Sequence, residues 1–174
     1  MQISNRHFIQ STLEETIEPG NLVVDGAAGI GLNTRFLSSR VGSQGQVLTF
    51  SEEKENANQI ASSLFMAGLQ ERVDVINGFL TQDKLQAQIG KVSKLDLAIL
   101  DYGSDTGTSL PNRETLNEQI TLLWDHLKDD GLLIVNLTRN QQAANFNVSI
   151  TNDTDKASYQ THSDLTYLIE RKDD

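Results

Sequence analysis

Five short apolar runs alternate along this chain with stretches of helical periodicity, and that alternation constrains the fold more than any other feature. The runs are Leu22-Val23-Val24, Gln46 to Phe50, Val73 to Ile76, Leu95 to Leu100 and Leu132 to Val135. Continuous apolarity over so few residues is what a strand buried on both faces requires. Between them, Leu32 to Val41, Glu52 to Ala67, Gln82 to Ile89 and Asn112 to Leu127 place apolar residues at i, i+3, i+4 spacing. The clearest is Glu52 to Ala67, where Ala57, Ile60, Ala61, Leu64 and Phe65 share a stripe, Ser51 can cap it and Gly68 ends it. A further helix, Ser4 to Glu18, precedes the first strand and stops at Pro19-Gly20. Right-handed crossovers then put helices on both faces of a parallel sheet. After Val135 the pattern changes: Phe146, Val148 and Ile150, then Leu165, Tyr167 and Ile169, alternate with polar residues. These two runs predict an antiparallel hairpin appended to the sheet.

Composition narrows the function. With 174 residues and no linker or repeat, the chain is expected to form one α/β domain over residues 1–174. No cysteine is present, which excludes disulfides, thiolate metal sites and thiol nucleophiles. The three histidines share no metal spacing, so no metal is expected. The N-terminal segment does not read as a signal peptide, and no apolar run approaches the ~20 residues of a membrane helix. A cytoplasmic protein without membrane contact is the expectation, with a homodimer left open. The net charge is −10, which disfavours a phosphate-backbone partner unless basic residues gather on one face. Arg35, Arg113 and Arg139 are candidates for such a rim, or else solvated arginines.

In a doubly wound sheet the ligand sits beyond the carboxyl ends of the strands, where strand order reverses. The first strand ends in Asp25, and Gly26-Ala27-Ala28-Gly29-Ile30-Gly31 follows it. Small residues there let a ligand approach the backbone. A dinucleotide fingerprint counted from Gly29 would need a third glycine where Thr34 stands, so a nicotinamide oxidoreductase reading rests on two glycines alone. An acidic residue followed by x-x-x-G-x-G suits S-adenosylmethionine better, because its sulfonium is cationic and it has no pyrophosphate. Asp25, Ala27, Gly29, Ile30, Gly31, Asn33 and Thr34 are the candidate cofactor contacts. A carboxylate taking the ribose hydroxyls is expected at the end of the second strand. Ser51 occupies that position, and Glu52 can supply the group one residue later or simply favour its helix dipole. Asp101, ending the fourth strand at the switch point, is both a candidate contact and the one candidate for orienting an acceptor, or else a loop-capping carboxylate. Tyr102 could stack on a base, or pack.

Five parallel strands plus a hairpin form the Rossmann-like class I methyltransferase layout. From the first helix to about Leu137 the sequence resembles a family of small bacterial rRNA methylases related to the enzyme that methylates the aminomethyl group of tRNA wobble uridine. The resemblance rests on Pro19-Gly20, the loop Asp25 to Thr34 with Phe36-Leu37, Gly45 to Phe50, Arg113-Glu114-Thr115-Leu116 and Asp130-Gly131. It implies an S-adenosylmethionine-dependent methyltransferase acting on an RNA base. In that family's loop, Asp-x-Thr-x-Gly-Asn-Gly-x-Asp-Thr, the threonine, asparagine and second aspartate are here Ala27, Ile30 and Asn33. Its aspartate after strand two is Ser51, its post-strand-four tyrosine is Ser104, and Asn136 to Asn140 stand where it has a Gly-His. Those departures motivate an alternative, a homologue that keeps a binding or assembly role without turnover.

Overall fold

The computed structural model describes residues 3–90, 94–140 and 154–172. Its centre is one seven-stranded sheet in the order β3-β2-β1-β4-β5-β7-β6. The strands are β1 (Leu22–Asp25), β2 (Gln46–Ser51), β3 (Val73–Asn77), β4 (Leu95–Tyr102), β5 (Leu127–Thr138), β6 (Thr154–Gln160) and β7 (Asp164–Arg171). The first five pair in parallel, while β7 runs antiparallel to both β5 and β6. That reversed strand stands where a nicotinamide-binding domain has its sixth parallel strand, so the oxidoreductase reading is dropped. Strand order reverses between β1 and β4, which opens a crevice at their carboxyl ends.

The helices are α1 (Asn5–Thr16), α2 (Leu32–Val41), α3 (Lys54–Met66), α4 (Gln82–Ile89) and α5 (Arg113–His126). Two apolar layers hold them. Ile9 and Leu13 of α1, Leu37 and Val41 of α2 and Ile60 and Leu64 of α3 pack with Val23, Val47 and Ile99 on one face of the sheet. Leu85 of α4 and Leu116, Ile120 and Leu123 of α5 pack with Val24, Leu48 and Leu100 on the other. Three helix N-termini are capped by side chains that accept a free amide: Ser4 from His7 N, Thr81 from Lys84 N and Asn112 from Thr115 N.

Four sequence expectations change in detail. Ser51 does not cap α3; it is the last residue of β2, and Glu53 holds the cap position without a side-chain bond. Ala61 and Phe65 lie outside the buried stripe, which consists of Ala57, Ile60 and Leu64, and Phe65 is 70% exposed. β5 starts at Leu127 rather than Leu132: Asp129-Asp130-Gly131 is a kink within the strand, with Asp130 at φ 63° and a register shift opposite Leu95/Leu97. The hairpin exists, but its first strand is β6, a polar segment tolerated because it lies at the sheet edge. The Phe146 to Ile150 run lies outside the described residues. Among those residues, no helix is long and apolar enough to cross a membrane.

Leu13 is fully buried between α1 and the sheet. Its truncation to alanine is expected to cost about 2–5 kcal/mol, and at roughly 2–4 °C per kcal/mol for a domain of this size to lower the melting temperature clearly. A circular-dichroism melt that superimposes on the parent's would show that α1 adds nothing to this core.

Candidate functional site

β1 delivers Asp25 to the crevice, and the chain then makes a tight loop. Gly26 N donates to Ile99 O of β4 and Ala28 N to Phe50 O of β2, so the loop is stitched to both neighbouring strands. Gly29 has φ 55°, and a Cβ there would stand 2.4 Å from Thr106 O. The segment after β4 therefore lies directly on this glycine. Gly31, a candidate cofactor contact, is constrained by packing as well. It precedes α2 at φ 89°, and a Cβ would stand 2.7 Å from Cγ1 of Ile60, so the packing of α3 requires a glycine there. Ile30 is 52% exposed, and only its amide is engaged, donating to Thr106 O at 3.3 Å.

Beneath the loop, α2 turns a polar face inward, with Asn33, Thr34 and Ser38 all buried. Thr34 Oγ1 donates to Asp25 Oδ2 at 2.8 Å, while Asp25 Oδ1 is buried with no partner. Burial pushes the Asp25 carboxyl up to about 7; the Thr34 hydrogen bond opposes this and the charge of Asp101 adds to it. Asp101 contrasts sharply. It is equally buried, yet Oδ2 accepts from Arg6 Nη2 at 2.7 Å and Asn33 Nδ2 at 2.8 Å, and Oδ1 from Asn136 Nδ2 at 2.9 Å and Gly103 N at 3.0 Å. With four donors on its two oxygens, Asp101 is a closed hub in this structure, and the Gly103 bond makes it the loop-capping carboxylate that the sequence also allowed. Asn33 shares that hub, with its Oδ1 accepting from Arg6 Nη1.

The open part of the crevice lies on the β2–β3 side. Ala27, Gly29, Ser51 and Glu52, all read from the sequence, line a cleft of about 80 Å³. Asp25, Ile30, Gly31, Asn33, Thr34 and Asp101 lie beneath it or beside it. Ser51 does not replace the missing carboxylate: it is buried, and its hydroxyl donates to Gly29 O at 3.3 Å. Carboxylates come instead from Glu52 and Glu53, both exposed at the end of β2. Phe79, 48% exposed, stands at the lip. Sequence reasoning missed Glu53, Phe79, Thr108 and Arg6; an exposed phenylalanine after a strand end, Asn77-Gly78-Phe79, was the available signal. Tyr102 also lines the cleft, but it is 3% exposed and its hydroxyl donates to Gln119 Oε1 at 2.7 Å, so it packs.

A second groove, about 1050 Å³, shares Glu52, Phe79 and Ser109 with the cleft and runs along α5. Glu114, Glu118 and Asp125 line it, and among the described residues no lysine or arginine does. Arg35 and Arg113 begin helices on opposite faces of the sheet, and neither they nor Arg139 line the cleft or the groove.

The fold itself is well populated among solved structures. A Clostridium thermocellum protein designated an rRNA methylase superposes with a TM-score of 0.79 at 17% identity, over 98% of this chain and 100% of the other. The fold is that of the class I methyltransferases. An rRNA methylase from Streptococcus thermophilus gives a TM-score of 0.77 at 17% identity, covering 99% of each chain. A Streptococcus mutans protein designated a methyltransferase, solved with S-adenosylhomocysteine, gives 0.77 at 16% identity over 98% of this chain and 99% of its own. No protein-family model matches the sequence, and neither does any curated protein.

Asp25 carries a pH signature. Its folded pKa of about 7 lies above the ordinary 3.8. Between these values the folded state keeps a proton that the unfolded chain releases, so stability falls as pH rises through that window and levels off above it. Asp25→Asn is expected to be more stable than the parent at pH 8, with the difference shrinking as pH falls toward 4. Urea unfolding at several pH values measures it; a constant difference would mean Asp25 is ionised throughout.

Proposed function

We propose that this chain binds S-adenosylmethionine in the cleft beyond β1 and β2 and transfers its methyl group to an acceptor entering along the α5 groove. One observation carries the reading: backbone approach at Gly26 to Gly29, carboxylates at the end of β2 and an exposed ring after β3 converge on one cleft.

The residues fit the nucleoside half. Glu52 and Glu53 are free to accept hydrogen bonds from ribose hydroxyls, and the Phe79 face is available for an adenine ring. Asp25 offers a buried oxygen without a donor below the loop, close to where a cationic ligand would pass. The amino-acid half is covered by the Thr106–Thr108 backbone on Gly29, and 80 Å³ is well short of the roughly 300 Å³ at which small-molecule sites begin. The post-β4 loop must therefore move for the whole cofactor to enter. When bound, the sulfonium supplies the activated methyl group. The chain contributes position, because Asp101 and Tyr102 are both engaged and neither presents a free base.

The finer reading concerns the acceptor. The sequence resemblance points to an aminomethyl nitrogen on a tRNA base, and an alkylammonium suits a groove carrying Glu114, Glu118 and Asp125. The same carboxylates and the net charge of −10 oppose a phosphate backbone, so the amine is better supported than its RNA carrier. A second reading, binding without turnover, is favoured by the closed hub at Asp101 and the strap over Gly29.

Calorimetry with S-adenosylhomocysteine tests the binding reading. Phe79→Ala is expected to weaken the complex by the ~1–3 kcal/mol of one stacked base, roughly 5- to 150-fold. Labelled methyl transfer to undermodified tRNA, rRNA and small amines then separates catalysis from binding alone. Absence of any heat at millimolar ligand would end the methyltransferase proposal.

A further inference from the structure

Arg6, in the first turn of α1, reaches the β1–β4 crevice with its guanidinium. Arg35, by contrast, is exposed on α2 and borders a shallow depression outside α3. Arg6 has two kinds of partner. One set is buried: Asp101 and Asn33 hold Nη2 and Nη1 from below. The other is at the surface, where Nε and Nη2 meet Asp105 Oδ2 and Oδ1 at 3.0 and 2.9 Å in a two-point fork. The Asp105 side chain is 43% exposed, against 17% for Arg6 and 0% for Asp101.

Asp105 belongs to the segment that covers Gly29. Its start is tied down, Gly103 N to Asp101 Oδ1 at 3.0 Å and Ser104 N to Asp164 Oδ1 at 3.2 Å, and Thr106 Oγ1 and Thr108 N bond within the segment. Beyond Ser104 and the Asp105 fork, the bond to the rest of the chain is Ile30 N to Thr106 O at 3.3 Å, at the long end of hydrogen bonding. Two polar atoms close to it are buried and unanswered, Thr108 Oγ1 in the segment and Asp25 Oδ1 beneath the loop. A closed arrangement that strands buried polar atoms is one that a ligand can improve upon.

We infer that Arg6 is the carboxylate-binding residue of this site, and that Asp105 occupies it in place of the α-carboxylate of the ligand's amino-acid end. The inference rests on the S-adenosylmethionine reading above and names the residue that recognises one end of that molecule. Exchange of one carboxylate for another leaves the charge at Arg6 unchanged. Asp101 and Asn33 keep the guanidinium in place as the strap leaves, so its free edge is already oriented. The 105–109 segment is then a strap that the amino-acid end displaces, uncovering Gly29.

The test compares two ligands, S-adenosylhomocysteine, which has the amino-acid end, and 5′-methylthioadenosine, which lacks it, against the parent, Asp105→Asn and Arg6→Lys by calorimetry. Circular-dichroism melts confirm that each variant is folded. Removing the internal competitor raises the open fraction, so Asp105→Asn is expected to bind S-adenosylhomocysteine about tenfold tighter with methylthioadenosine unchanged. Arg6→Lys keeps the charge and loses the fork, so it is expected to weaken S-adenosylhomocysteine about tenfold and spare methylthioadenosine. If Asp105→Asn leaves S-adenosylhomocysteine unchanged or weaker, or Arg6→Lys shifts both ligands alike, the inference is overturned while the binding reading stands. If neither ligand binds any of the three proteins, the binding reading fails and the inference with it.

Discussion

A carboxylate removed from water must have its lone pairs answered, and the way Asp101 meets that demand organises the crevice. Its donors come from α1, α2, β5 and its own following turn: Arg6, Asn33, Asn136 and Gly103. Each is held in turn. Asn136 Oδ1 accepts from Thr166 on β7, and Asn5 of α1 donates to that same hydroxyl and to Tyr159 O of β6. The two ends of the chain are thereby fastened to one buried oxygen pair at the switch point. Such a network is weak evidence of added stability, since burying its charges is costly. Its consequence is geometric: it fixes where α1 stands relative to the glycine loop.

The two buried aspartates divide the crevice by how well they are satisfied. Asp101 has four donors; Asp25 has Thr34 on one oxygen and nothing on the other. Neighbouring carboxylates in a dry site repel, and the less satisfied one is driven toward its neutral form. That asymmetry separates a rigid half, built on α1, α2, β4 and β5, from an accommodating half around β1, β2 and β3 where the cleft opens. The rigid half also holds the strap, through Arg6. Access to the cleft is thus coupled to an element, α1, that precedes the first strand and contributes nothing to the cleft lining.

Much of this was legible in the chain. The alternation of apolar runs with helical stripes specified strands, helices and the parallel sheet, because side-chain period is a local property that each segment carries wherever it packs. Asp25 and the small residues after it marked the ligand edge for the same reason: a tight turn needs glycine where it bends, whatever surrounds it. Ala27, Gly29 and Glu52 were accordingly placed at the cleft. Contacts between remote segments were not legible. Nothing local shows that Gly31 also makes room for Ile60, 29 positions on, or that Asp101, readable as a cofactor contact, an acceptor-orienting group or a loop-capping carboxylate, gathers donors from residues 6, 33 and 136. Arg6 drew no notice, since an arginine on a first helix is ordinarily solvated and nothing local says that a strap will meet it. The order of the sheet, the division of the two aspartates and the cover over Gly29 arise from packing across long sequence separations, where burial and partner identity, rather than period or propensity, set what a residue does.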